Sequence, residues 1–242
     1  FYAEHIPALG SAGFTIHKGS AGSAEGVRAE GYSLRNEFIA LELDPQSGTI
    51  SSLKTADGNA VVELVDFEDG KGLNEYLYVA GRDPAEPQPA GKARVMVREN
   101  GPLVASLLVE SGAPGCNNLT REIRIMSGIN RIDIVNIVDK KNIYDKEGVH
   151  FTWPFHVPDG QMRVDIGWGH YRPEADQLPG ACKNYLTVQR WVDISNQDYG
   201  VTWVTNDAPL IEVGDITSDP VVYGWIEHLV PTQKFYSYVM NN

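Results

Sequence analysis

The sequence predicts an all-β protein of antiparallel strands, a sandwich or a barrel. Three observations carry this reading. No window places apolar residues at i, i+3, i+4 and i+7 over three turns, so helix patterning is scarce. Short runs that alternate apolar and polar side chains recur along the chain. Clusters of Gly, Pro, Asn and Asp separate these runs at the spacing of short antiparallel strands.

The elements follow in order. Residues 1–17, with "HIPALGSAGFTIH", read as an N-terminal strand segment. Residues 18–31, "KGSAGSAEGVRAEG", are rich in Gly, Ser and Ala without an apolar period and read as a flexible linker. Residues 32–242 form the main β domain. Within it, "NEFIALELDPQSGTISSLKT" is a hairpin: Ile39, Leu41 and Leu43 point inward, "DPQSG" turns, and Ile50 and Leu53 lie on the return. "LTREIRIMSGINRIDIVNIVDKK" is a second, pairing Ile123 and Ile125 with Ile132 and Ile134 across "SGIN". Between them, Arg82 to Lys92 carries three prolines and reads as a long loop. "GVTWVT", "VVYGWIEHLV" and "FYSYVM" read as further short strands.

With 242 residues, 42% of them hydrophobic, the chain can bury a sizeable core. A formal net charge of -12 repels nucleic acid and anionic membrane surfaces, so neutral, hydroxyl-rich ligands such as oligosaccharides fit better. No apolar run is long enough to span a membrane. The chain opens on Phe1 and reads as an excised or processed segment whose sequence selects no compartment, exported, periplasmic or cytoplasmic. Cys116 and Cys182 read as two separate thiols, with one bridge open to an exported chain.

Candidate chemistry starts from "GVHFTWPFHVPDG". Val149, Phe151, Trp153, Phe155 and Val157 fall on one strand face; His150, Thr152, Pro154 and His156 fall on the other. Six extended residues separate the two histidines by roughly 20 Å, too far to share a metal ion. No phosphate loop, nucleophile elbow or zinc-protease motif is present. Asp176 and Asp193 stand among aromatic residues as candidate carboxylates for glycoside hydrolysis, against the plainer reading of turn and strand-edge acids. The densest stretch, Gly167 to Trp203, mixes Trp168, Tyr171, Trp191 and Tyr199 with His170, Arg172, Gln177, Asn184 and Arg190. Aromatic faces beside planar donors suit a sugar ring, as they also suit a loop with its own aromatic anchors.

Several of these blocks, in order, resemble glycoside hydrolase family 38, the class II α-mannosidases, with the bacterial branch nearest. They are "YAEHIPALG", "NEFIALELDPQSGTISSL", "IVNIVDKK", "VHFTWPFHVPDGQMRVDIGWG" and "RPEADQLPGACKNYLTVQRWVDISNQDYGVTWVTNDAPLIEVG". The resemblance covers nearly the whole chain and its C-terminal region in the family. It implies a large antiparallel β super-sandwich related to galactose mutarotase, packed on an upstream catalytic domain. It further implies that the zinc ion and the nucleophilic aspartate belong to that upstream part, so this chain itself holds no metal, cofactor or catalytic nucleophile. The family continues past "SYVMNN", which implies truncation at the C-terminus. "LNEYLYV" resembles the strand carrying the family's substrate-contacting tyrosine and points to Tyr76, or to Tyr78 if the register slips. Arg190 is the candidate for its substrate-contacting arginine.

The expected function is therefore the β domain of a retaining, zinc-dependent α-mannosidase acting on a mannoside substrate. Tyr76, Arg190, Trp191, His150 and Tyr171 form the expected substrate-binding set, with His150 on an outer strand face, near a sugar groove, or on a face packed against the upstream catalytic domain. Two alternatives stay open. One is a non-catalytic carbohydrate-binding module using Gly167 to Trp203. The other is a mutarotase-like sugar epimerase, which needs a His and a Glu across one groove; His150 or His170 could serve, and no glutamate nearby is an evident partner.

Overall fold

A computed structural model describes residues 3, 5–19, 26–57, 60–67, 70–217 and 219–242. The described residues are all-β apart from one short helix. In chain order the strands begin β1 (Arg28–Glu30), β2 (Ser33–Arg35), β3 (Ile39–Leu43), β4 (Ile50–Asp57), β5 (Ala60–Glu63) and β6 (Glu75–Ala80). They continue β7 (Gln88–Pro89), β8 (Arg94–Asn100), β9 (Val104–Ser111), β10 (Cys116–Met126), β11 (Ile132–Lys140) and β12 (Glu147–Pro154). The rest are β13 (Gln161–Ile166), β14 (Gly169–Tyr171), β15 (Leu186–Thr187), β16 (Trp191–Ser195), β17 (Gly200–Val204), β18 (Leu210–Val213), helix α1 (Pro220–Tyr223) and β19 (Lys234–Asn241).

They form four antiparallel sheets. Sheet one is β1-β2-β3-β4-β5 and sheet two is β11-β10-β9-β8. Sheet three, with six strands, runs β15-β18-β19-β12-β6-β7, and sheet four runs β14-β13-β16-β17. Sheets one, two and four follow the chain locally. Sheet three instead gathers strands from far apart, with β12 between β6 and β19. One contiguous apolar core joins all four sheets, from Leu41 and Ile50 through Leu107 and Ile123 to Phe151, Phe235, Val164 and Ile194.

Both hairpins form in the expected register. Leu41 faces Leu53 and Leu43 faces Ile50; Ile123 faces Ile134 and Ile125 faces Ile132. The first turn is built by Asp44, whose carboxylate accepts from the Ser47 amide at 2.7 Å, the Gln46 amide at 3.0 Å and the Ser47 hydroxyl at 2.9 Å. Gly48 there has φ +68°, and a Cβ on it would meet Val109 Cγ1 at 2.4 Å. The turn is thereby seated against sheet two.

Three expectations need correction. Residues 5–17 form no strand, and Leu9 and Ile16 are exposed. Of the expected linker, residues 20–25 lie outside the described residues, and its last residues belong to strand β1. "VVYGWIEHLV" is not a strand: Asp219 caps the one-turn helix α1, Pro220 opens it, and Gly224 at φ +70° closes it. The proline and capping acid favour a helix start, and the glycine a stop. The proline-rich loop meets sheet three only through the two residues of β7, at its edge, where a proline's missing donor costs no ladder bond. Cys116 is buried, Cys182 is half-buried, and both are free.

Candidate functional site

The expected site residues separate into two places. Tyr76 and His150 lie in sheet three, while Tyr171 and Trp191 lie in sheet four and Arg190 just precedes β16. They form no common cluster.

Sheet three is covered on both faces, and every residue of β12 is buried. Phe151 and Trp153 face the main core. The opposite face carries Leu77 and Val79 from β6, His150 and Thr152 from β12, Tyr236 and Tyr238 from β19, and Glu212 from β18. The segment after β18 covers this face, with Ile216 packed in a second apolar cluster with Leu77, Val79 and Tyr236. The expected outer face of His150 is therefore an interior face, which corrects that reading. His156, past the strand end, is exposed.

His150 stacks on Tyr238 with ring centroids 4.4 Å apart and 7° between planes. Its Nε2 lies 3.5 Å from Glu212 Oε1, with the two side chains 1% and 0% exposed. Neither ring nitrogen of His150 nor Glu212 Oε1 has a hydrogen-bond partner. Glu212 Oε2 accepts from the Thr217 amide at 2.6 Å, which ties the covering segment down. Asn184 ties it further: its Nδ2 donates to the Thr217 and Gly224 carbonyls at 2.7 and 2.9 Å, and its Oδ1 accepts from the Ile226 amide at 3.0 Å.

Beside His150 opens a cleft of about 390 Å³. Arg82, Lys146, Glu147, Asp219 and Tyr238 line it with His150. Arg82 Nε stands 3.7 Å from Asp219 Oδ2. Glu147 is buried; its Oε2 accepts from the Tyr78 hydroxyl at 2.7 Å and its Oε1 lies 2.5 Å from Lys140 Nζ. Burial and this carboxylate push the Tyr78 phenol up to about 12. The cleft thus presents both charge signs, an aromatic face and side-chain amides, a set able to donate to and accept from hydroxyl groups.

Tyr76 does not reach that cleft. It is fully buried, packs edge-on against Phe151 at 5.8 Å, and donates its hydroxyl to the Pro114 carbonyl at 2.6 Å. Burial drives its phenol well above the ordinary value. Strand β6 is interior to sheet three, so a substrate cannot touch this ring without displacing core, which corrects its expected role as a sugar contact. Tyr171 likewise points inward: it pairs with Val164 and packs partly buried against the core, and burial pushes its phenol up to about 12. Arg190 is exposed and its carbonyl accepts from the Thr205 amide. Trp191 lies on the outward face of sheet four, 6.2 Å from His170.

The two candidate carboxylates belong to separate networks. Asp176 closes a turn with Arg172 through bonds of 2.8 and 3.0 Å, while Asp193 accepts from Ser195 at 2.6 Å and Thr202 at 3.1 Å. Neither faces the other as a hydrolytic pair requires. Among the described residues, no group of three or more His, Cys, Asp or Glu side chains is placed to hold a metal ion.

Sequence reasoning missed Glu212 and Glu147, and it read Asn184 as a sugar donor where the structure spends its amide on the segment after β18. Glu212 carried a signal: an acid between Ile211 and Val213 in a strand buried on both faces. It was invisible as a partner of His150 because sixty residues of chain separate them.

The chain matches the model of the glycosyl hydrolases family 38 C-terminal domain over residues 34–209. No curated protein sequence matches it. Among solved structures it is similar to an α-mannosidase from Enterococcus faecalis V583, with TM-score 0.61 and 14% identity over 93% of this chain. The chain spans 27% of that protein, and at this identity the likeness shows the shared fold alone. The family match extends over most of the chain, from β2 to the segment before β18, so this protein belongs to the C-terminal domain family of glycosyl hydrolases family 38.

Proposed function

We propose that the chain serves as the β domain of an α-mannosidase, one wall of a sugar pocket whose catalytic groups come from an upstream domain of the same polypeptide. The single observation that carries this reading is the family match over residues 34–209. The four sheets around one core suit a super-sandwich of the galactose mutarotase type. The complete enzyme would act on mannosides by a retaining mechanism, with zinc and the nucleophile supplied upstream.

Within this chain the cleft beside His150 is the part suited to face a sugar. Arg82 and Lys146 would donate to hydroxyl oxygens, and Asp219 would accept from hydroxyl protons. Glu147, already bonded to Tyr78 and paired with Lys140, holds the cleft wall in place rather than offering free lone pairs. Such contacts orient a ring and leave bond breaking to other groups. Arg190, exposed beside β16, stands as the candidate for the family's β-domain arginine.

The test is hydrolysis of 4-nitrophenyl α-mannoside by the longest natural polypeptide containing this chain. Chelator-sensitive turnover is expected, with Arg82→Ala raising KM more than it lowers kcat. Turnover that persists after metal removal and is indifferent to Arg82→Ala overturns the reading.

The epimerase alternative gains a partner for His150, namely Glu212 at 3.5 Å. That pair is sealed beneath the segment after β18, and Glu212 Oε2 is committed to Thr217. A sugar cannot bridge the two groups without lifting that segment, so this pair suits a structural role.

A further inference from the structure

Sheet four turns one face to the core and the other outward. Val164, Met162, Val192 and Ile194 are buried, so the alternate residues Arg163, Trp191, Asp193 and Ser195 face away. Thr202 joins them across from Asp193, and His170 from β14. A surface strand ordinarily fills such positions with solvated polar residues. Here a half-buried tryptophan sits in line with an ordered polar network.

The network is already assembled. Arg163 Nη1 donates to Ser195 Oγ at 3.0 Å and lies 3.5 Å from Asp193 Oδ1. Ser195 Oγ donates to the same Asp193 oxygen at 2.6 Å, and Thr202 Oγ1 donates to the other at 3.1 Å. The guanidinium and the carboxylate are each about a quarter to a third exposed, held in place and open to solvent on one side. Trp191 and Asp193 are two residues apart on one strand face, hence about 7 Å apart along the strand. That is the span of one pyranose ring. A ring lying on the Trp191 indole would place hydroxyls over the Arg163–Asp193 pair.

The hairpin leading into β14 adds a second aromatic. Trp168 at its tip is fully exposed with φ +70°, a backbone region that disfavours a bulky side chain. With a net charge of -12, the chain favours a neutral ligand over an anionic one.

We propose that the outward face of sheet four is a glycan-binding surface, with Trp191 as the stacking platform and the Arg163–Asp193 pair as the hydroxyl clamp. It is distinct from the cleft beside His150 and does not rest on the mannosidase reading. A sheet face outside any enclosed cavity suits a segment of a neutral polysaccharide, bound weakly, better than an enclosed monosaccharide.

The test is titration of the whole chain with α-mannotriose and, separately, maltotriose, read from the indole N–H signals of its five tryptophans. The expected result is movement of the Trp191 signal with a Kd on the order of millimolar for at least one trisaccharide. Trp191→Ala should weaken binding about tenfold or more, since stacking dominates such sites. Asp193→Asn, which preserves shape, should weaken it about fivefold while the remaining indole signals keep their folded positions. No movement of the Trp191 signal up to about 20 mM of either sugar overturns the proposal. So does a Trp191 shift that Asp193→Asn leaves unchanged, sugar-induced movement of the remaining indole signals that Trp191→Ala leaves unchanged, or a Trp191 signal that shifts with protein concentration alone, which would mark a contact between copies.

Discussion

Replacing Gly48 with alanine isolates how tightly the first hairpin turn is seated on sheet two. Gly48 has φ +68°, and an added Cβ would meet Val109 Cγ1 at 2.4 Å, Ala93 Cβ at 3.0 Å and Arg121 Nη2 at 3.0 Å. Two costs add. The left-handed backbone costs a residue with a Cβ about 1–2 kcal/mol. Forcing a methyl into a packed joint costs about 1–3 kcal/mol more. The sum, about 2–5 kcal/mol, lowers Tm by roughly 4–20 °C for a domain of this size. Gly31 is the internal control: its φ is +57° and an added Cβ meets nothing within 4 Å. Gly31→Ala should therefore pay only the backbone cost, about 1–2 kcal/mol. Urea unfolding of both variants, followed by tryptophan fluorescence, gives the difference directly. If Gly48→Ala matches Gly31→Ala within about 0.5 kcal/mol, the turn is not packed on Val109 and the seating argument fails.

Other outcomes follow from the buried polar groups. Burial raises the Glu75 carboxyl above its ordinary value despite nearby Lys71, Lys234 and Arg121. The folded state therefore favours the protonated acid, and stability is lost as pH rises through the folded pKa; Glu75→Gln should raise the urea midpoint at pH 7 to 8, by an amount that shrinks toward pH 4. The Lys183 ammonium and the Leu229 amide bonded to Glu174 hold its carboxyl down to about 2. Its bonds persist above the ordinary value of 4.5 and fail only as pH falls toward 2, so the Leu229 amide resonance should titrate near 2; a midpoint near 4.5 contradicts this. Asn184→Ala removes three hydrogen bonds, one buried and two partly buried, from the segment between residues 217 and 226, a loss of about 2–4 kcal/mol, and should speed hydrogen exchange there before it does so in sheet two.

Local alternation made the two hairpins legible because each pairs neighbours in the chain and has one wet face. The same reasoning placed Phe151 and Trp153 in the core. It failed on His150 because it equates a polar strand face with solvent, and that face of sheet three is covered by the segment after β18, far along the chain from His150. Helix α1 was legible in principle. Asp219, Pro220 and Gly224 are start and stop signals, but the apolar run "VVYGW" outweighed them, and those side chains are largely exposed. Tyr76 shows the limit of a family resemblance, which locates a residue in a strand without saying whether that strand is interior. Buried Arg121 shows the reverse. It shares a face with Ile123 and Ile125, so alternation points it inward, where it donates to the Ser47 carbonyl at 2.6 Å and the Asn74 carbonyl at 3.3 Å.

We propose that this chain shapes a mannosidase pocket whose chemistry lies elsewhere in the polypeptide. Hydrolysis of 4-nitrophenyl α-mannoside, measured with added zinc on the isolated chain and on the longest natural polypeptide that contains it, tests this most directly. Turnover is expected from the longer protein and none above buffer from the isolated chain. Zinc-dependent turnover by the isolated chain would contradict it, because a complete active site would then reside within these 242 residues.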